Sequence, residues 1–470
     1  MVTSSTFKDA RIWFAAGLCV VSASGLQAET LDSALARAYM GNPTLDAQRA
    51  AVRSTDENVP RALSGYRPSL VASGSAGITY QTGETLGATT LSGGNGLQNF
   101  RRDLIPRNMQ LQLSQNLFNG FRTQNSVRQA ETQVLGGRET LRNAEQSTLF
   151  SGAQSYMNVL RDTATLDLQR NNVEVLEEQL RQTRDRFNVG EVTRTDVAQA
   201  ESRLAASRSA VSLAEANLQN SIATFRQVIG VEPRRLAPGR PIDRLVPRSL
   251  LAAVQIGTEE HPAVISALHA VDAAELQVKV TEGELAPSVN VVGSVGQSYD
   301  ASYRGDQVLA ASVVGQLTIP IYQGGEVYAR VRQAKELAGQ RRIEAEATRD
   351  QVRAAVVSAW GSLEASKANV LASQAQVSAS EVALTGVREE ARVGQRTTLD
   401  VLNQQQELLN ARVNLITAQR DRVVASFSVA QAIGRLSSRS LGLNVTSYSA
   451  KTHYDQVRDL PWGLRTPDGR

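Results

Sequence analysis

The spacing of apolar residues along this chain changes period several times, and each change marks an element. From Leu70 it alternates, with Leu70, Ala72, Gly74, Ala76, Ile78 and Tyr80 on one side. Ser69, Ser73, Ser75 and Thr79 fall on the other, Val71 being the exception. Met109, Leu111, Leu113 and Leu117 likewise oppose Gln110, Gln112, Ser114 and Asn116. Farther on, Val289, Val291, Val295 and Tyr299 oppose Asn290, Ser294 and Ser298, while Leu309, Ala311, Val313, Leu317, Ile319 and Ile321 oppose Ser312, Gln316 and Thr318. Alternation is the mark of a strand with unlike faces, so four strands of roughly 10 to 14 residues are expected. They form two hairpins, within 67–118 and 286–322, each with an apolar and a polar face.

Elsewhere the pattern is helical. Asn119 to about Phe187 and Gln323 to about Val393 are free of proline. At ~1.5 Å per residue, each would reach on the order of 100 Å as one helix. Thr195 to Ile229 carries a heptad seam of Val197, Leu204, Val211, Leu218 and Phe225, with Ala200, Ser207, Ala214 and Ser221 three positions on. A second seam runs through Val401, Leu408, Leu415 and Val429, broken at Arg422, with Ala411, Ala418, Ala425 and Ala432 as its small positions. A period of about 3.5 residues means left-handed coiled-coil packing. Leu31–Leu63 and Leu250–Leu285 are also helical in pattern, interrupted by Asn42-Pro43 and His261-Pro262. Their lengths let them lie end to end with the heptad helices along the long ones.

These elements occur twice. Leu117-Phe118-Asn119-Gly120 returns as Ile321-Tyr322-Gln323-Gly324, Val189-Gly190 as Val393-Gly394, and Ile229-Gly230 as Ile433-Gly434, each 204 positions on. The early helices are offset by 219 instead. The first copy therefore has about 15 extra residues, assigned to a long loop in the Gly/Thr/Ser/Asn-rich stretch Thr82–Asn99. The expected division is a first repeat at 29–230, a linker at 231–249 placed at mid-height, a second repeat at 250–434, and a polar periplasmic tail at 435–470 whose last 30 residues are expected to be partly disordered. Residues 1–28 read as a secretory signal, with Lys8 and Arg11, an apolar Ile12–Ser24 stretch and Gln27-Ala28 before Glu29; cleavage after Ala23 is an alternative. The single cysteine, Cys19, lies inside it, and Leu18 argues against a lipoprotein site there. The mature chain is then exported without thiol or disulfide.

Composition narrows the class. Aromatics make up 5 % of the chain, which suits long helices with thin seams better than a thick core. The net charge is +4 and no Lys/Arg block stands out, so no nucleic-acid partner is expected. Beyond the signal, no apolar run is long enough for a transmembrane helix, but a β-barrel carries a weaker signal and stays possible. Alternation alone also fits a soluble sandwich. Against that stand the strand lengths, the Ser/Gln/Asn character of the polar faces, and Tyr80, Tyr299, Phe118 and Tyr322 at strand ends, where interfacial aromatics sit. Four strands cannot close a barrel and open edges are not tolerated in lipid, so several chains must share one barrel. The strand count leaves dimer and trimer open.

On these features the chain resembles the TolC family of outer-membrane channel-tunnels. The resemblance covers nearly all of the mature chain. It rests on the duplicated plan, the strand-to-helix junctions Leu117-Phe118-Asn119-Gly120 and Ile321-Tyr322-Gln323-Gly324-Gly325, and two inter-helix turns. The first turn is Phe187-Asn188-Val189-Gly190 with Thr195-Asp196-Val197; the second is Val393-Gly394-Gln395-Arg396-Thr397-Thr398-Leu399-Asp400-Val401-Leu402. The resemblance implies a mixed α and β membrane protein. A trimeric 12-stranded barrel, four strands per chain, would continue as a long coiled-coil α-helical barrel across the periplasm. It implies a passive exit duct for drug efflux and type I protein secretion in the outer membrane. Its partners would be two further copies, outer-membrane lipid, a periplasmic adaptor and an inner-membrane pump of RND or ABC type.

The resemblance also implies a gate at the periplasmic end. By position, Arg396 would pair with Thr195 and Asp196, and Asp400 would face the axis in a threefold anionic ring. Ala391 stands where the best-known member has an aromatic tether, with Arg392 as a substitute, and Asn403 stands where it has a second ring aspartate. A gate with fewer links and a less negative ring is expected. Val189, Gly190, Val393 and Gly394 would be adaptor-docking turns. The residues themselves equally fit helix capping, Asp196 with Gln199 or Thr397 with Asp400. No catalytic, cofactor or metal site is expected: His261, His269 and His453 show no ligand spacing, and His261 reads as a turn residue at a helix start. The rival reading is an exported periplasmic adaptor or scaffold, which would bury the apolar strand faces against each other.

Overall fold

A computed structural model describes residues 28–88 and 95–469, the side chains of 85–98 excepted. The signal reading and Cys19 lie outside the described residues. Helices α1 (Leu31–Gly41), α2 (Pro43–Asp56) and α3 (Asn58–Leu63) lead into strands β1 (Ser69–Ala76), β2 (Thr79–Ala88), β3 (Asn95–Leu104) and β4 (Arg107–Asn119). The chain continues as α4 (Arg122–Asn188) and α5 (Arg194–Ile229). The order then recurs: α6 (Leu250–Glu260), α7 (Pro262–Glu282), β5 (Ser288–Tyr299), β6 (Gln307–Thr318), α8 (Glu326–Arg392) and α9 (Thr398–Ala432). Helices α4 and α8 both have 67 residues. Among the described residues, no helix is long and apolar enough to cross a membrane.

Strands β1, β4, β5 and β6 form one antiparallel sheet in that order. Its register brings Leu70, Leu113, Gly293 and Val313 into one row, and Ala72, Leu111, Val295 and Ala311 into the next. Side chains two apart share a face, so these rows make one apolar surface. It is open to the outside, with Val313 at 81 % and Met109 at 71 % exposure. The opposite face is mixed, with Val71, Gln112, Ser294 and Ser312 in one row and Ser114, Val292 and Val314 in the next, the hydroxyls of Ser294 and Ser312 being 2.9 Å apart. The hairpins are thus joined edge to edge through β4 and β5, rather than packed face to face as a soluble sandwich requires. A bulge between Asn116 and Phe118 absorbs Leu117 at the foot of the sheet. There the chain swings into α4 at Gly120 (φ +65°), where a Cβ would meet the Gly283 carbonyl oxygen at 2.4 Å.

The described parts of the stretch 82–99, residues 82–88 and 95–99, are strand and not the loop that composition suggests. Strands β2 and β3 pair with each other and prolong the first hairpin, as in Tyr80 opposite Asp103 and Thr82 opposite Arg101. Threonine is a good strand former when a partner strand is in register, and the alternation here is masked by its Gly and Ser neighbours. The β1–β4 ladder breaks near Gly77, whose N–H donates to the Pro106 carbonyl at 3.0 Å.

The short helices do lie end to end beside the long ones. The Asn42 side chain, at the end of α1, donates to the Val228 carbonyl near the end of α5 at 2.9 Å. Around this junction lies the largest core, built from Leu35, Leu45, Leu149, Tyr156, Phe225, Phe427 and Leu436. The buried Tyr156 hydroxyl sits 2.7 Å from the Glu29 carbonyl and 2.6 Å from that of Ala237. Burial, reinforced by the Glu29 charge, pushes its pKa up to about 12. The linker packs on this core through Leu236, Ile242 and Leu245. Arg422, which breaks the second heptad seam, reaches out to both carboxylate oxygens of Asp243 in the linker, at 2.7 and 2.6 Å.

The expected partly disordered tail is instead structured through much of its length. It forms α10 (Ser438–Leu441) and α11 (Ala450–Val457), and buries Leu441 and Val457. The backbone N–H of Tyr448 donates to the Tyr39 hydroxyl at 3.1 Å. His453 Nδ1 lies 3.0 Å from the fully buried Asp56 carboxylate. Burial raises the Asp56 pKa, with His453 opposing that shift. Composition hid these anchors because they are single residues in polar surroundings. Phe225→Ala, which opens a cavity in the core where α1, α4 and α5 meet, is expected to lower stability by about 3–5 kcal/mol. Thermal unfolding followed by circular dichroism checks this against Leu309→Ala on the exposed sheet face, which leaves the midpoint nearly unchanged.

Candidate functional site

Far from the sheet, α4 turns into α5 and α8 into α9, and the two turns are built alike. Gly190 (φ +82°) and Gly394 (φ +81°) take the left-handed conformation that ends each long helix. The chain is then drawn back by Glu191 N–H to the Arg186 carbonyl and by Gln395 N–H to the Glu390 carbonyl, both 2.9 Å. Val189 and Val393, just before the glycines, are 71 % and 70 % exposed. The four residues expected as docking turns thus protrude as two matching apolar knuckles.

Each returning helix begins with a reciprocal capping box. Thr193 Oγ1 accepts the Asp196 N–H at 3.3 Å, and Asp196 Oδ2 accepts the Thr193 N–H at 2.8 Å. Thr397 and Asp400 repeat this at 3.2 and 3.0 Å. For Asp400 this is the pairing foreseen. For Asp196 the partner is Thr193, three residues before it, rather than Gln199, because Asp196 occupies the third helical position and not the cap. Hydrogen bonds from Thr193 hold the Asp196 pKa below its ordinary value, and those from Thr397 do the same for Asp400.

The basic residues are held locally. Arg396 Nε donates to Glu390 at 2.9 Å, within its own turn, and not to Thr195 or Asp196 as expected. The local carboxylate is six residues away on the same turn and needs no second hairpin to reach it. Arg392 pairs with Glu389 at 3.1 Å, one helical turn back. Thr195 is exposed beside the first turn. Asn403 does connect the two hairpins: its side-chain oxygen accepts from Arg203 of α5 at 2.8 Å. Beneath that bond Leu402 is buried against Leu176, Leu180, Ala200 and Leu204. Arg203 was not picked out from the sequence. Its one visible signal is its place beside Leu204 in the heptad seam, which does not mark a partner. Deeper in the α4–α5 seam, Asn172 donates to Ser207 at 3.0 Å and Ser221 donates to Asp162.

Among the described residues, no cluster of three or more His, Cys, Asp or Glu side chains could hold a metal ion. His261 caps α7, its Nδ1 accepting the Ala263 N–H at 3.1 Å, as its place before Pro262 suggested. Burial lowers its pKa.

An open four-stranded sheet with an apolar outer face, prolonged by two helical hairpins whose long arms each have 67 residues, defines the class of outer-membrane channels. The family model described as outer membrane efflux protein matches residues 34–231 and 254–435, and the chain belongs to that family. It is located in the outer membrane. It is 40 % identical over 459 residues to the outer membrane efflux protein BepC of Brucella suis biovar 1 (strain 1330), with 96 % of this chain and 95 % of that protein covered. Over 444 residues it is 27 % identical to the outer membrane protein TolC of Escherichia coli (strain K12), covering 90 % and 86 % of the two chains. Its fold is similar to the Campylobacter jejuni CmeC outer membrane channel, with a TM-score of 0.75 at 16 % identity over 97 % of this chain and 98 % of that one.

The capping boxes set a pH limit on the tip. Their aspartates have folded-state pKa values below the unfolded value. Their stabilisation is therefore present above the ordinary aspartate range and is lost as pH falls through the lowered values. Amide exchange in the first turns of α5 and α9, corrected for intrinsic rates, should be flat from neutral to mildly acidic pH and rise only in strong acid. A rise at mildly acidic pH would contradict this assignment.

Proposed function

We propose that the chain is one third of a passive exit duct for drug efflux and type I protein secretion. In this reading three copies join β6 of one to β1 of the next and close a twelve-stranded barrel. The observation that carries it is the exposed apolar face of a four-stranded sheet whose two edge strands, β1 and β6, each have one neighbour in the chain. A 12-residue strand such as β5 reaches ~40 Å, and tilted at about 45° it spans the ~30 Å hydrocarbon layer. The helical hairpins then extend into the periplasm and meet a periplasmic adaptor at the Val189-Gly190 and Val393-Gly394 knuckles. The inner-membrane pump supplies the energy of transport, so the duct carries no cofactor.

The tip is the gate in this proposal. Asp196, Asp400, Arg392 and Arg396 lie near the two turns, with Thr195 and Asn403 alongside. Arg396 is tied to Glu390 in the single chain, so its share in closure acts through the shape of its own turn and through neighbouring copies. Arg203 with Asn403 adds a link between hairpins within the chain. All these ties are exposed and weak singly, so an adaptor that contacts the open tip better than the closed one can shift the balance.

Single-channel recording in a planar bilayer tests both levels. Small, long-lived steps are expected for the native chain, with larger steps for Arg396→Ala and for Arg203→Ala. Equal steps in all three would keep the duct and remove the latch. No steps from correctly folded, inserted protein would sink the duct.

A further inference from the structure

Beyond α11 the chain runs to the foot of the sheet. Arg67, two residues before β1, donates from Nη1 to the Leu460 carbonyl at 3.0 Å and from Nη2 to that of Asp459 at 3.2 Å. The Leu460 side chain folds back toward Gly463, where a Cβ would lie 3.6 Å from Leu460 Cδ2. Farther on, Asp468 returns to within 3.6 Å of Arg53 on α2. Residues Leu460 to Leu464 therefore form a short loop tied to the body on both sides. Yet its largest apolar side chains point outward: Trp462 is 86 % exposed and Leu464 wholly so.

The place of the loop says what covers it. Two residues span at most about 7 Å, so Trp462 stays close to Leu460 and hence to the start of β1. Other exposed aromatics mark the same end of the sheet. Tyr66 precedes β1, Phe118 lies near the end of β4, Phe121 starts α4 and Tyr322 follows β6. The loop thus lies at the end of the sheet where these aromatics gather, beside the start of β1. Tryptophan, with an apolar ring and one N–H donor, favours the headgroup layer of a bilayer, and a neighbouring arginine such as Arg465 suits lipid phosphates.

We propose that Leu460–Leu464 is an interfacial membrane anchor, inserting Trp462 and Leu464 among phospholipid headgroups at the periplasmic surface of the outer membrane. The proposal rests on the reading that the apolar sheet face lies in lipid. Because the same tail buries His453 against Asp56 at the end of α2, the anchor ties that helix to the membrane surface.

The chain has three tryptophans, Trp13, Trp360 and Trp462. The variant Trp13→Phe with Trp360→Phe makes Trp462 the reporter. In nanodiscs made with brominated phospholipid, its emission is expected to be blue-shifted and clearly quenched relative to unbrominated lipid, as for an interfacial ring. A companion variant carries Val313→Trp with Trp13, Trp360 and Trp462 all changed to Phe, and reports on the sheet face. If Val313→Trp is quenched and Trp462 is not, the anchor is overturned and the lipid-facing sheet stands. Blue-shifted but unquenched Trp462 emission means that protein covers the loop, which overturns the anchor too. If neither is quenched, the placement of the sheet in lipid fails and the anchor fails with it.

Discussion

A backbone amide in hydrocarbon must be hydrogen-bonded, because no water is present to take its place. The rest of this architecture follows from that constraint. The sheet satisfies it internally across β4 and β5 and leaves it unmet along the outer edges of β1 and β6. A sheet with an apolar outer face and two open edges is incomplete as a single chain. The proposed trimer answers both demands at once, since closure removes the edges and turns the Ser/Gln/Asn face toward a wet interior. The duplicated plan serves the same end, since each copy contributes one hairpin and the pair is joined in register through β4 and β5.

Away from the membrane the problem is reversed. A 67-residue helix has too little apolar surface on any one face to stand alone, and its neighbours cover it in two stages. The heptad helices α5 and α9 cover the half nearer the tip through thin seams of Leu, Val and Ala. The short helices, the linker and the tail cover the half nearer the sheet, with the largest core among the described residues at the junction. Polar ties are spent where halves meet: Asn42 to Val228, Arg422 to Asp243, Tyr156 to the Glu29 and Ala237 carbonyls. The largest core is therefore at mid-height, while nearer the tip small apolar seams such as Leu176, Leu180, Leu204 and Leu402 are joined by capping boxes and exposed ion pairs. That distribution would suit the proposed gate, whose far end moves while the middle stays fixed.

In the proposed gate, one residue at the tip would serve structure and function together. Asp196 and Asp400 are capping residues in the chain as it stands, and their low pKa values follow from that role. A carboxylate held charged and fixed by its own helix start is also a well-placed charge for a neighbouring copy. Capping and the proposed gating are therefore compatible, and the first supplies the rigidity that the second requires.

The sequence by itself determined the elements and their faces. The 204-residue repeat, the period-two strands, the proline-free helices and the heptad seams are local patterns, and backbone geometry translates them directly into strands and helices. It also carried the cap of Asp400, because Thr397 lies within one turn. Only the tertiary structure decided which edges join, that 82–88 and 95–99 extend a hairpin, and that the tail packs on α2 and reaches Arg67. It likewise decided that Arg396 chooses Glu390 and that Arg203 meets Asn403. These outcomes depend on residues tens to hundreds of positions apart, such as 56 with 453 or 203 with 403. A periodic pattern states which face a residue occupies but not what arrives opposite it, and the choice among nearby partners is made by distance once the chain has folded.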